Sequence, residues 1–278
     1  MFKTLSLNDQ SQIFDEIQHG VHLFHFDFSN CSQRVRICLI EKGIDWRSRP
    51  VNLLLNEHSK EWFQKINPKG LVPVLSDNGN IVTESVDIIR YLESMDTTSP
   101  LQPKDIEALD SMNAIIELAD GVQSEIKLLT HYFLAKPQRF IVKMTLKKFS
   151  DQHGNSELVK FKRRFANNEF TVSEVQEAID SMHGKCRLLE ACLTNQEWMV
   201  DSGFSLADVA WMVNIHRLDL MGFPLTGYPN ILAWYERSKE RRSFQEGLVD
   251  YEPAMIMIFF RITKFFTKTK NKRLFGFV

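Results

Sequence analysis

Between residues 21 and 93, short strand-like runs alternate with helix-like runs, and after residue 104 the strand signal disappears. This switch in hydrophobic period limits the possible folds more than any other property of the chain. Residues 21–28 alternate and are rich in aromatics, as a half-buried strand requires. Residues 31–42 place Val35, Cys38 and Leu39 on one helical face, with Gly43 as a C-terminal stop. A second strand is expected over 46–53, and a short helix over 58–65, ending before Asn67-Pro68. Ser76-Asp77-Asn78-Gly79 is a hairpin turn between strands at 72–75 and 80–82. A helix over 84–93, with Val86, Ile89 and Leu92 in register, completes the order βαβ, helix, ββ, α. That order predicts a mixed sheet with helices on both faces.

Beyond a linker at 96–104 the pattern is helical. Residues 106–134 suit one long helix or two shorter ones. Thr171 with Glu174 and Ser205 with Asp208 have the spacing of capping boxes. Pro229 opens a last regular helix that runs through Lys239. The expected organisation is therefore an N-terminal extension (1–20), a sheet domain (21–95), the linker, an all-helical domain (105–253) and a tail (254–278). Two segments stand apart. Residues 139–164 hold eight Lys/Arg against Asp151 and Glu157, and read as a solvated excursion from the helical domain. The tail holds six Lys/Arg and no acid, with a wholly apolar run at 255–260.

A length of 278 residues allows one large or two modest domains, and a formal charge of -1 gives no reason to expect a nucleic acid partner. The four cysteines, Cys31, Cys38, Cys186 and Cys192, show neither CxxC nor metal-ligand spacing, so reduced thiols, no metal and a cytoplasmic setting are expected. The first twenty residues carry Asp9, Asp15 and Glu16, unlike a secretory signal. No stretch reaches the ~20 apolar residues of a membrane span.

Three short motifs carry chemistry. Val72-Pro73 lies at a strand entrance, where a proline removes a ladder donor. In the cis form it would turn the Val72 backbone N–H and C=O outward to pair with an extended peptide; the alternative is an ordinary loop proline. Glu84-Ser85 opens a helix, where N–H groups and the dipole favour a carboxylate and Glu84 can meet an amino group; a plain cap is the alternative. Ser29 and Cys31 begin the first helix. Ser29 can donate to a bound thiolate, and the helix end lowers the pKa of a thiol there. Otherwise Ser29 is an N-cap and Cys31 a small apolar residue.

The run Ser29-Asn-Cys-Ser-Gln-Arg-Val-Arg-Ile37, with Glu41-Lys-Gly-Ile44, resembles the first helix of zeta-class glutathione transferases. Asn67-Pro68…Val72-Pro73, Glu84-Ser85…Ile89-Arg-Tyr-Leu92 and Phe204-Ser-Leu-Ala-Asp208 resemble the general transferase pattern, in which the proline is cis. Asn30 and Gln33 depart from the zeta isomerase pattern. Ser-x-Cys-Ser and Ser238-Lys-Glu-Arg-Arg-Ser-Phe244 look more like tetrachlorohydroquinone dehalogenases, and the enlarged helical domain resembles the glutathione-dependent β-etherases.

The resemblance implies a glutathione transferase fold, an α+β thioredoxin-like domain followed by an all-α bundle. It implies glutathione as cosubstrate, with Ser29 activating its thiol and Cys31 resolving an adduct. Val72, with Pro73, would pair with the cysteinyl backbone, Glu84 and Ser85 would hold the γ-glutamyl group, and His58 would contact the glycyl carboxylate. The expected reaction is attack of the thiolate on an electrophilic, aromatic substrate, and a homodimer is implied. Alternatives are a Cys31-based thiol transferase, a zeta-type isomerase, and a non-catalytic protein that binds hydrophobic ligands or a membrane. Trp211, Met212, His216 and Phe223 suit either a substrate pocket or a core, the core first. The tail suits docking on the protein's own helices or a lid, and after these a weak contact of 254–278 with a membrane surface.

Overall fold

The computed structural model describes residues 3–4, 12–95, 98–253, 257–258, 260 and 274–275. The chain divides into two compact units: Met1–Thr97 with Gln138–Glu169, and Thr98–Pro137 with Phe170–Val278.

The first unit is built on a sheet of β1 (Lys3–Thr4), β2 (Val21–His25), β3 (Arg47–Pro50), β4 (Val74–Asp77) and β5 (Asn80–Thr83), in the order β1-β5-β4-β2-β3. β2 runs parallel to β3 and antiparallel to β4, and β4 and β5 form the expected hairpin. Its turn residues Asn78 and Gly79 both have positive φ, as a two-residue hairpin turn requires. Between the strands lie α1 (Gln12–Glu16), α2 (Asn30–Glu41) and α3 (Glu61–Ile66), and α4 (Ser85–Met95) follows β5.

Alternation along the strands separates two buried layers. Phe24, Val74 and Ile81 pack with Phe14, Ile17 and Phe63 on one side, whereas Leu23, Leu75 and Val82 are buried on the other face. Part of the expected N-terminal extension thus belongs to the sheet domain, through Phe14, Ile17 and the pairing of β1 with β5. α2 packs against α4 and is buried from Ser32 to Leu39. The mixed sheet between helices agrees with the expected thioredoxin-like domain.

The chain continues through α5 (Ile106–Gly121) and α6 (Gln123–Phe133), so residues 106–134 form two helices. It then returns to the first unit as α7 (Arg139–Gln152) and α8 (Ser156–Ala166). This is the basic segment, and it is not the solvated excursion that its charge suggested. Phe149, Leu158 and Val159 form a small core between the two helices, beneath their basic side chains.

The remaining helices, α9 (Val172–Cys192), α10 (Leu206–Met221), α11 (Pro229–Lys239) and α12 (Arg242–Gly247), belong to the second unit. Both capping boxes are present, at Thr171 and Ser205. α10 is buried continuously from Leu206 to Leu218, as befits the central helix of a bundle. Trp211 and Met212 lie in this core, and Trp211 Nε1 donates to the Ile115 carbonyl at 2.9 Å. His216 is a satisfied core histidine, 2.7 Å from the Tyr235 hydroxyl and 2.8 Å from Glu252 Oε1. Phe223 packs with His183 and Phe275. Most of residues 254–278, and with them the alternatives raised for the tail, lie outside the described residues.

Candidate active site

Strand register gathers the candidate residues at one end of the sheet. Phe24 pairs with Val74, and Val74 with Thr83. The loop leaving β2 toward Ser29, the Val72-Pro73 step entering β4, and Glu84-Ser85 leaving β5 therefore adjoin. His25 pairs in parallel with Pro50, so the segment that leads from β3 to His58 starts at the same end.

Ser29 is the N-cap of α2. Its backbone is extended, and its Oγ accepts from the Ser32 N–H at 3.3 Å. That bond uses a lone pair and leaves the hydroxyl proton for an anion in front of the helix. Cys31, in the first turn, is half-buried and is not part of a disulfide. The loop before Ser29 is held by Arg36, whose Nη2 donates to the Asp27 carbonyl at 2.9 Å and whose Nη1 donates to His25 Nδ1 at 3.1 Å. His25 Nε2 is left to donate to Ser48 Oγ at 2.7 Å. Burial, and then the Arg36 charge, push the His25 pKa down to about 3. The imidazole is therefore a neutral strut at neutral pH.

The Val72-Pro73 bond is cis, Pro73 is buried and Val72 half-buried. Asn67 steadies the preceding loop by donating from Nδ2 to the Leu71 carbonyl at 2.9 Å. Glu84 adopts φ 66°, a left-handed conformation unfavourable for a residue with a Cβ. The exposed Glu84 carboxylate meets Lys69 Nζ at 2.6 Å, and this hydrogen bond raises the Lys69 pKa. Ser85 is buried, and its Oγ accepts from Arg34 Nη1 at 2.9 Å. Arg34 was missed in the sequence because nothing local distinguishes it from Arg36 two residues on, and its partner Ser85 lies 51 residues away.

His58 does not begin the helix expected over 58–65, since α3 starts at Glu61. It lies in a 3-10 turn, Glu57–Ser59, buried by α7, with its ring centroid 5.3 Å from Phe149 and 5.5 Å from His153. Lys162, from α8, reaches Asn56 Oδ1 at 2.9 Å and His58 Nε2 at 3.4 Å. Burial, then Lys162 and His153, press the His58 pKa down to about 3. The turn between α7 and α8 also touches the loop before Val72: Asn155 Nδ2 donates to the Lys69 carbonyl at 3.2 Å. Gly70 has φ 60°, and a Cβ there would collide with the His153 ring. Lys162 has no local signal, since it lies about a hundred residues from His58. Among the described residues there is no cluster that would hold a metal, and no helix long and apolar enough to cross a membrane.

This geometry can be set beside known proteins. Residues 23–100 match the family model for the glutathione S-transferase N-terminal domain, and residues 173–237 match that for its C-terminal domain. The chain is 28% identical to Protein LigF of Sphingobium sp. strain SYK-6, over 75% of this chain and 85% of the relative. The crystal structure of beta-etherase LigF superimposes with a TM-score of 0.75 and 27% identity, covering 82% of this chain and 98% of that one. The tetrachloro-p-hydroquinone reductive dehalogenase of Sphingobium chlorophenolicum is 24% identical over 82% of this chain and 96% of its own length. Glutathione S-transferase Z2 of Arabidopsis thaliana is 41% identical, but over only 34% of this chain and 43% of the relative.

Proposed function

This chain belongs to the glutathione S-transferase family, whose enzymes use glutathione as cosubstrate, and we propose that its Ser29 activates a bound glutathione thiol for attack on an electrophilic, aromatic substrate. The observation that carries this reading is the convergence of Ser29, Val72-Pro73 and Glu84-Ser85 at one end of one sheet. An extended tripeptide along that end would pair its cysteinyl backbone with Val72. Its γ-glutamyl ammonium would replace Lys69 at Glu84. Its α-carboxylate would receive the Ser85 hydroxyl proton and the first N–H groups of α4, with the Arg34 charge behind them.

The thiol would then face Ser29. A hydrogen bond from the hydroxyl stabilises the thiolate and lowers the thiol pKa. The thiol proton passes to solvent, and the sulfur electron pair forms the carbon–sulfur bond as a halide or aryloxide departs with its own pair. Similarity to a protein described as a beta-etherase favours an aryl ether as the electrophile. At the glycyl end, His58 is neutral and accepts from Lys162, so Lys162 supplies the cation for that carboxylate.

Cys31 supports a second step. In that step the half-buried Cys31 thiol, in the first turn of α2, would attack the sulfur of a glutathionyl adduct. The carbon–sulfur bond breaks, a mixed disulfide forms on Cys31, the aromatic carbon takes a proton, and a second glutathione releases the disulfide.

Calorimetric titration with glutathione, followed by turnover with aryl ethers, chlorinated hydroquinones and maleylacetone, tests the reading. Binding, with loss of most turnover in Ser29→Ala, is the expected result. Absence of glutathione binding, or undiminished turnover in that variant, would overturn it. Binding without turnover of any electrophile would favour the non-catalytic alternative.

A further inference from the structure

Helix α7 is apolar on two opposite sides. Val142, Leu146 and Phe149 recur at i, i+4 and i+7, and the last is fully buried in the first unit against His58 and His153. The opposite side of a helix packed in this way is ordinarily polar. Here it carries Phe140 and Met144 one turn apart, 71% and 70% exposed, with Ile141 beside them at 47%. Single exposed apolar side chains need no explanation, but three on one helix face form a patch.

The surroundings of this patch are cationic. Lys136, Lys143, Lys147 and Lys148 are exposed, Arg139 is half-buried, and no Asp or Glu occurs in residues 136–150. The whole chain has a formal charge of -1, so this density is local. Two copies of the face would set like charges against each other. A nucleic acid duplex would engage the cations but presents no apolar layer to Phe140, Ile141 and Met144, and a single strand could stack a base on Phe140 but leaves Ile141 and Met144 uncovered. An anionic lipid bilayer satisfies both, with headgroups at the lysines and an apolar layer just below them.

We propose that α7 is a peripheral membrane contact, lying flat on an anionic phospholipid surface with Phe140, Ile141 and Met144 inserted between headgroups. Fourteen residues lie along a surface and are too few to cross it. The contact is independent of the chemistry at Ser29 and of the tail.

Sedimentation of the full chain with vesicles tests it. Phosphatidylcholine vesicles should leave the protein in the supernatant, whereas equimolar phosphatidylcholine and phosphatidylserine should carry it down, less so as salt is raised. The exposed-face variant Phe140→Ser/Met144→Ser, checked for an unchanged unfolding midpoint, should lose about tenfold or more in affinity. Lys143→Glu/Lys147→Glu should do the same. Tryptophan at position 140 (Phe140→Trp) should be quenched by brominated lipid. Failure to sediment with anionic vesicles would overturn the proposal. So would equal sedimentation of the serine variant, which would assign binding to another segment, including 254–278. If the serine variant instead turns a dimer into a monomer without altering sedimentation, the face belongs to a second copy.

Discussion

Ser29 holds the first turn of α2 with one lone pair, a bond that does not use its hydroxyl proton, and the proposed role gives that proton to the glutathione sulfur. A charge-assisted hydrogen bond is worth ~1.5–3 kcal/mol, so Ser29→Ala should lower kcat/KM about 10- to 100-fold and raise the pKa of bound glutathione by one to two units or so. Thiolate absorbance followed against pH checks the second effect, and Cys31→Ala should leave it unchanged. For Lys162 the contrast lies in the ligand. Wild-type protein should bind glutathione about tenfold or more tightly than its glycyl ethyl ester, and Lys162→Ala should bind the two alike. An unchanged preference in that variant would place the cation elsewhere. Ser29, Val72-Pro73 and Glu84-Ser85 were legible because each is a local pattern: a cap, a strand entrance, a helix start. Lys162 and the burial of His58 were not, because a contact across a hundred residues leaves no local trace.

Among the elements, α10 depends on a buried carboxylate. Asp208 accepts from Met199 N, Ser205 N, Ser205 Oγ and Trp234 Nε1, at 2.8–3.0 Å. Asp208→Ala leaves those donors without an acceptor and should cost about 3–5 kcal/mol, or roughly 10 °C in Tm. Ser205→Ala removes only one side of the box and should cost about 1 kcal/mol. Thermal unfolding of the two variants checks the ratio. Both boxes were readable from four-residue spacing. α7 and α8 were obscured by a different property of the chain: eight basic side chains concealed the apolar pair at Leu158-Val159 and the single Phe149 that fold the hairpin.

For the whole molecule, proton uptake joins the two units in one pH profile. His25 and His58 have folded pKa values of about 3 against 6.5 unfolded, so each contributes stability at neutral pH that is lost as pH falls through 6.5 toward 3. Asp208 acts in the opposite sense. Burial raises its pKa from 3.8 to about 6, so protonation between those values favours the folded form. The three groups leave a net excess of about one proton in the unfolded state, so stability should fall by ~1.4 kcal/mol per pH unit between pH 6 and 4. His58→Gln should remove about that much slope, as urea midpoints measured across the range would show. The two-unit division also sets an order of events. The first unit is discontinuous in sequence, and the cover over His58 comes from α7 and α8, after α5 and α6 of the second unit. During synthesis, a nascent chain that has passed the linker can form the sheet but not the finished domain. The sheet must wait, with the surface around His58 unprotected, until Ala166 has left the ribosome.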